Sequence, residues 1–238
     1  MKKITEYIQF GNFNSKDLEL YLVERDAPTP NEKEIIEDIP FMQGVLDFSM
    51  ILGERIFKNR EITYKFIAVD KTYAERKVLE RAVKRLTMLN GKNNIYDTHN
   101  NRFYWFGKCK SVEVEDDTKY NTIQVTIVFD CYPFLYSFLD YFDDYFDDFD
   151  LDAETAAYTK FPINGVTTIK VYNTGDSSVS PTIITSTAMS LKDESGKEYQ
   201  FDTGTSSDYE LVLKKGENIF EVNGYGTIAF HYASEVMG

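Results

Sequence analysis

Apolar side chains fill every second position at Ile62, Tyr64, Phe66 and Ala68, and again at Ile123, Val125, Ile127 and Phe129. A period of two puts those side chains on one face of a strand, and another layer has to cover that face. Leu18, Leu20 and Leu22 repeat the pattern, as does Thr167–Tyr172. The helical period replaces it over one long stretch, Tyr73–Leu89. There Thr72 and Glu75 have the spacing of a capping box. Val78, Leu79, Ala82, Val83, Leu86 and Leu89 fall on one predicted apolar face. Arg76, Lys77, Arg81, Lys84 and Arg85 fall on the other, interrupted by Glu75 and Glu80. Asn90-Gly91 predicts a left-handed helix end. The expected fold class is therefore mainly β, with an α+β first part built around one helix.

The remaining elements follow from turn chemistry. Leu46, Phe48 and Met50 alternate, which predicts a strand joined to the Ile62–Ala68 strand by a turn near Gly53 and Asn59. Phe103–Val114 and Thr122–Cys131 predict a long hairpin, and Trp105 on its first strand is expected in the core or at an interface rather than as a ligand platform. Between residues 26 and 40 the chain reads DAPTPNEKEIIEDIP, with three prolines and five acids. Proline removes a ladder donor, so this segment is expected to be an extended arm or long loop. Loops of that length in a compact domain tend to be functional.

From Phe161 onward Asn, Gly and Asp turns recur between short strands. They predict seven strands, Tyr209–Lys214 and a hairpin turning at Asn223-Gly224 among them, and a β-sandwich or jelly roll.

Charge changes at a seam. Met1–Leu139 carries 20 bases against 21 acids, whereas Asp140–Gly238 carries 6 against 18 and no arginine. Phosphate binding needs Lys and Arg, so the acidic half excludes nucleic acid as its direct ligand. It likewise excludes anionic lipid surfaces. The seam, FDCYPFLYSFLDYFDDYFDDFDLD, spaces its aromatic and aspartate pairs four apart, which fits an amphipathic helix with one acidic face. Clustered carboxylates also suit calcium, although the order is not that of an EF-hand loop.

No phosphate-binding glycine loop, nucleophile elbow or HExxH helix occurs. His99 and His231 lie far apart in sequence, and Cys109 and Cys131 have few further ligands to recruit. No catalytic, cofactor or metal residue is therefore expected, and the two cysteines are expected as buried thiols. The N-terminal MKKITEYIQF has no apolar run behind its lysines, so no export signal is expected.

Three stretches in order resemble the distal tail proteins of long-tailed phages of Gram-positive bacteria. The first is IPFMQGVLDFSMILGERIFKNREITYKF, residues 39–66, with Phe41 where that family often has glycine. The second is FDCYPF, residues 129–134. The third is split between VYNTGDSSVSPTI (Val171–Ile183) and LKKGENIFEVNGYGTIAFHY (Leu213–Tyr232). The resemblance implies a tail-tube-like split barrel in 1–139, with an arm at 26–40 and a helix at 73–89. A connector at 140–160 and a galectin-like sandwich at 161–238 would complete the chain.

It also implies a structural hexamer at the distal end of a phage tail. Such a ring would join the tail tube to the tip protein and to receptor-binding or baseplate components, with DNA only as passing cargo and no enzymatic activity. Two alternatives remain: a carbohydrate-binding adhesion module, with Tyr172, Tyr199, Tyr209 or Tyr225 as stacking platforms, and a ring in a phage-tail-like delivery particle.

Overall fold

The computed structural model describes residues 3–51, 53–137 and 159–238. The aromatic and aspartate repeat of the seam, residues 141–149, on which the amphipathic-helix and calcium readings rest, lies outside these residues. The strands are β1 (Ile8–Phe10), β2 (Phe13–Asn14), β3 (Tyr21–Asp26), β4 (Ile36–Glu37), β5 (Leu46–Asp47) and β6 (Arg60–Ala68). Helix α1 (Tyr73–Met88) precedes β7 (Asn93–Asp97), β8 (Phe103–Asp117), β9 (Thr122–Cys131) and β10 (Leu135–Ser137). Then come β11 (Lys160–Asn173), β12 (Thr182–Thr185), β13 (Met189–Lys192), β14 (Glu198–Phe201), β15 (Gly204–Ser207), β16 (Gly216–His231) and β17 (Glu235–Val236). The fold is mainly β, as expected. It divides into two compact units, Met1–Leu135 with Met237–Gly238, and Tyr136–Val236.

In the first unit the strand order β2-β1-β7-β8-β9-β6-β3 curls into a nearly closed barrel. The alternation drives this. Ile62, Tyr64, Phe66 and Ala68 of β6, with Ile123, Val125, Ile127 and Phe129 of β9, are all buried in one cluster. The two strands pair in unbroken register from Arg60 opposite Cys131 to Ala68 opposite Ile123. Phe129 meets Phe10 edge-on, ring centroids 5.1 Å apart, and Trp105 is buried as expected.

One buried carboxylate joins strands from distant positions in that order. Asp97, at the end of β7, is 3% exposed. It accepts two hydrogen bonds from Arg25 of β3, at 2.6 and 2.8 Å, and one from the Tyr64 hydroxyl at 2.9 Å. The His99 amide adds a fourth at 2.9 Å. Burial raises the Tyr64 phenol well above its ordinary value, and the charge and hydrogen bond of Asp97 push it further.

Helix α1 begins with the expected reciprocal capping box of Thr72 and Glu75. Two expectations about the helix fail. Asn90-Gly91 does not turn left-handed. Instead the Asn90 side-chain amide donates to Leu86 O at 2.6 Å, which satisfies the terminal carbonyl without a glycine conformation. The buried face is Arg76, Leu79, Val83 and Thr87, while Val78 and Leu89 are exposed. Arg76 goes inside because Asp116 of β8 meets its Nε at 2.5 Å and Lys71 O accepts from Nη1.

The expected hairpin between Leu46–Met50 and Ile62–Ala68 is absent: β5 pairs with β4, and β6 lies between β3 and β9. Strand β7, with the sequence NNIYD, was not expected; it forms because β1 and β8 pair on its two sides.

In the second unit β11 and β16 pair along their length, from Lys160 opposite Ala229 to Asn173 opposite Gly216. The other edge of β16 takes β13 at Glu221–Asn223 and then β12 at Ile228–His231. The expected turn at Asn223-Gly224 is thus continuous strand, and the six strands of the sheet enclose one core. Glycines serve this change of partner. A Cβ on Gly224 would approach Met189 Cγ to 2.7 Å, and Gly226 has φ 129°. Tyr209–Lys214 is not a strand; Leu211 and Leu213 instead drop into the core from a loop.

Two outcomes follow. Replacing Asp97 with Ala leaves the buried Tyr64 phenol without its acceptor and the half-buried Arg25 guanidinium with only the more distant, exposed Glu6. It should lower the urea-unfolding free energy by about 2–4 kcal/mol; a loss under about 1 kcal/mol would contradict the tie. Burial also pushes the Cys131 thiol from 9.0 to about 12. Below pH ~9 both states keep that proton; above it only the unfolded chain releases it, so stability falls with rising pH. The slope should be about 1.4 kcal/mol per pH unit per thiol between pH ~9 and ~12. Tyr64 acts in the same direction, and Cys131→Ala should flatten the thermal-denaturation profile over that window.

Candidate assembly surface

Between β3 and β6 the chain leaves the barrel as a braced arm spanning residues 27–59. It is longer than the proline-rich segment alone suggests. Its two legs hydrogen-bond to each other: Lys33 N donates to Ile56 O at 2.7 Å, Lys58 N to Asn31 O at 2.8 Å, and Phe48 N to Ile35 O at 2.8 Å. Arg55 pairs with Glu32, and Ser49 Oγ accepts from Ile35 N at 2.8 Å. The two hydrogen bonds from Ser49 to the Asp47 carboxylate, side chain first, lower its pKa.

The arm is braced, and although Phe57 packs edge-on against Phe134 at its root, most of its apolar side chains face water. Ile36, Ile39, Val45, Met50 and Ile51 are all exposed. None of the described residues between 28 and 59 enters the core cluster of its own unit. Scattered exposed apolar residues are ordinary, but a contiguous run of them marks a surface that another molecule covers. Burying one such side chain is worth about 1.5–3 kcal/mol.

The tip of the arm is strained. Met42 N donates to Ile39 O at 3.1 Å, which closes a turn with Pro40 second and Phe41 third. Phe41 has φ 71° and a relative exposure of 109%. Proline followed by positive φ is the type II turn, whose third position suits glycine or asparagine. An L side chain there costs about 1–2 kcal/mol. The other non-glycine residues with positive φ among those described are Glu19, Asp70 and Asn121, so Phe41 is the aromatic exception.

Charges on the arm and on α1 are opposite. Glu34, Glu37 and Asp38 have no basic partner among the described residues, and Arg81 and Arg85 on the helix have no acidic one. The other helix bases are engaged: Lys77 and Lys84 with Glu80, Arg76 with Asp116. Across the solvent face of the barrel, Lys65 pairs with Glu24 at 2.6 Å and Lys110 pairs with Glu61.

The remaining residues considered from sequence do not converge. His99 lies in the turn after β7, and His231 ends β16 in the other unit. Cys109 and Cys131 are buried free thiols. Among the described residues no group of three or more His, Cys, Asp or Glu is placed to hold a metal. No described helix is long and apolar enough to cross a membrane. Of the four tyrosines considered as sugar platforms, Tyr199 is buried and donates to Glu210 O, while Tyr209 and Tyr225 are well exposed.

No family model and no curated protein sequence matches this chain. Solved structures do. The crystal structure of the Dit protein of phage SPP1, described as a paradigm of the hub adsorption apparatus in phages infecting Gram-positive bacteria, superposes with a TM-score of 0.65. The match covers 96% of this chain and 99% of that one, at 15% identity. The chain thus has the fold of that hub protein over its described residues. A chain of the phage P2 baseplate in its activated conformation with Ca covers 95% of this chain at 11% identity, with a TM-score of 0.44.

An exposed aromatic on a turn, remote from the core, is the first place a protease should reach. Among the described residues, brief chymotrypsin treatment of the dilute chain should cut first after Phe41; an earlier cut between β8 and β9 would contradict this ranking of exposure.

Proposed function

We infer that the chain is a structural hub protein at the distal end of a phage tail, and that it acts as a closed ring of six copies without catalysing a reaction. The observation that carries this reading is the full-length likeness in fold to the SPP1 hub protein. The arm supports it from within the chain: ordered, apolar and outside its own core, it has the character of a part made for a neighbour. A ring of identical subunits closes through heterologous contacts, so one surface must differ from the surface it meets. An arm and a barrel supply such a pair.

In this reading residues 1–139 form the ring, 140–160 connect, and 161–238 stand outward as a docking sandwich. The ring joins the tail-tube protein to the tip protein, and the outer units receive receptor-binding or baseplate components. DNA passes through without being held. The near-balance of charge in the first unit and the cross-strand pairing of Lys65 and Lys110 with acids suit such a passage, because gripping phosphate needs unpaired bases. A second reading, sugar binding by the outer unit, draws on exposed Tyr209 and Tyr225, since aromatic faces stack on sugar rings.

Negative-stain electron microscopy of the purified protein should show end-on particles with a central hole. Light scattering should give six times the 27.6 kDa chain mass. A monodisperse monomer at high concentration overturns the ring. Binding on a cell-wall glycan array, lost in a Tyr209→Ala, Tyr225→Ala double variant, would establish the second reading.

A further inference from the structure

From Asp140 onward the chain carries 6 bases against 18 acids, yet one patch on the sheet of the second unit holds no charge. Strand register defines it. Asn223 of β16 lies beside Val166 of β11 on one side and beside Ser190 of β13 on the other. Ser190 in turn lies beside Gln200 of β14. The adjoining residues Val222, Leu191 and Tyr199 are buried in the core, so Asn223, Ser190 and Gln200 turn to the opposite, outward face. Two positions along the β11–β16 ribbon, Asn164 lies opposite Tyr225, which is 69% exposed. Charge resumes in the next row, at Glu198, Lys192 and Glu221.

The base under Tyr225 is fixed from both sides. Asn164 pairs with it on β11, and the Thr187 hydroxyl donates to its carbonyl. Ser186 Oγ accepts from the Thr227 amide at 2.8 Å, and a Cβ on Gly226 would collide with that same oxygen. A tyrosine on such a base has only two side-chain torsions to lose on binding. Around it, the Asn164 and Asn223 amides can each donate and accept, and the Ser190 hydroxyl can do both. Gln200 donates to Glu198 at 2.8 Å, which leaves its carbonyl oxygen as an acceptor. From Val166 to Gln200 the row crosses three strand spacings, about 14 Å.

We propose that this outward face of β14, β13, β16 and β11 binds a neutral glycan. The apolar face of one sugar ring stacks on Tyr225, and Asn164 and Asn223 hold its hydroxyls. The saccharide runs on past Ser190 toward Gln200. Glu198 and Glu221, with Lys192 alone between them, disfavour polymers that carry phosphate or carboxylate. The inference rests on the sugar-binding reading above and gives it a site and a ligand class. Tyr209, on the loop after β15, is not part of that site.

An array of neutral oligosaccharides printed beside phosphate-bearing ones tests this with the full chain. Calorimetric titration with the neutral oligosaccharide bound best then ranks the variants. Tyr225→Ala should weaken binding at least about tenfold, as should Asn164→Ala combined with Asn223→Ala. Tyr225→Phe keeps the stacking ring and should bind within a few-fold of wild type, with circular dichroism showing every variant folded. If Tyr225→Ala binds as wild type does, the site is overturned and the sugar reading survives elsewhere on the chain. Binding confined to phosphate-bearing glycans overturns the ligand class. A wild-type chain that binds no glycan overturns the site and the sugar reading together and leaves the ring untouched.

Discussion

The barrel depends on one carboxylate. Asp97 sits where β7 ends and takes hydrogen bonds from β3, from β6 and from the turn that follows it. In the order β2-β1-β7-β8-β9-β6-β3, β8 and β9 stand between β7 and the paired β6 and β3, so backbone pairing alone does not bring β7 to them. A buried charge is costly unless its partners are in place, and here four donors supply them. The same contact fixes Arg25, one residue before the end of β3, next to which the arm departs. The root of the arm is held again at Ala27, whose carbonyl accepts from Arg60 at 2.6 Å. Arg60 itself stacks on Trp105 and reaches the carbonyls of Pro133 and Gly238, so a second buried cation gathers distant segments of the first unit.

Much of this was legible in the sequence where the signal is local and periodic. The alternation in β6 and β9, the Thr72–Glu75 box and the long hairpin of β8 and β9 all read directly. What was illegible depends on neighbours. NNIYD has little strand propensity of its own and becomes β7 because β1 and β8 flank it. Asp97 is one aspartate among many until its donors are placed around it. Asn223-Gly224 carries the chemistry of a tight turn, but pairing with β11 runs straight through it.

The candidate assembly surface shows a different limit. Leu46, Phe48 and Met50 alternate as a half-buried strand does, and the sequence rule is sound as far as it goes. Period two reports that a face will be covered; it does not report whose residues cover it. The structure leaves that face open, and Val78 and Leu89 on α1 likewise. In both places an apolar pattern was read as belonging to the interior of the same chain, and in both the chain itself leaves the residues outside.

Because the described residues of 28–51 lie outside the core cluster of their own unit, most of them are free to diverge without unfolding it. Two variants that differ only there would each reach their native shape and yet refuse to mix. The arm is thus a mark of kinship: where related chains are made together in one cell, it would sort them into separate populations.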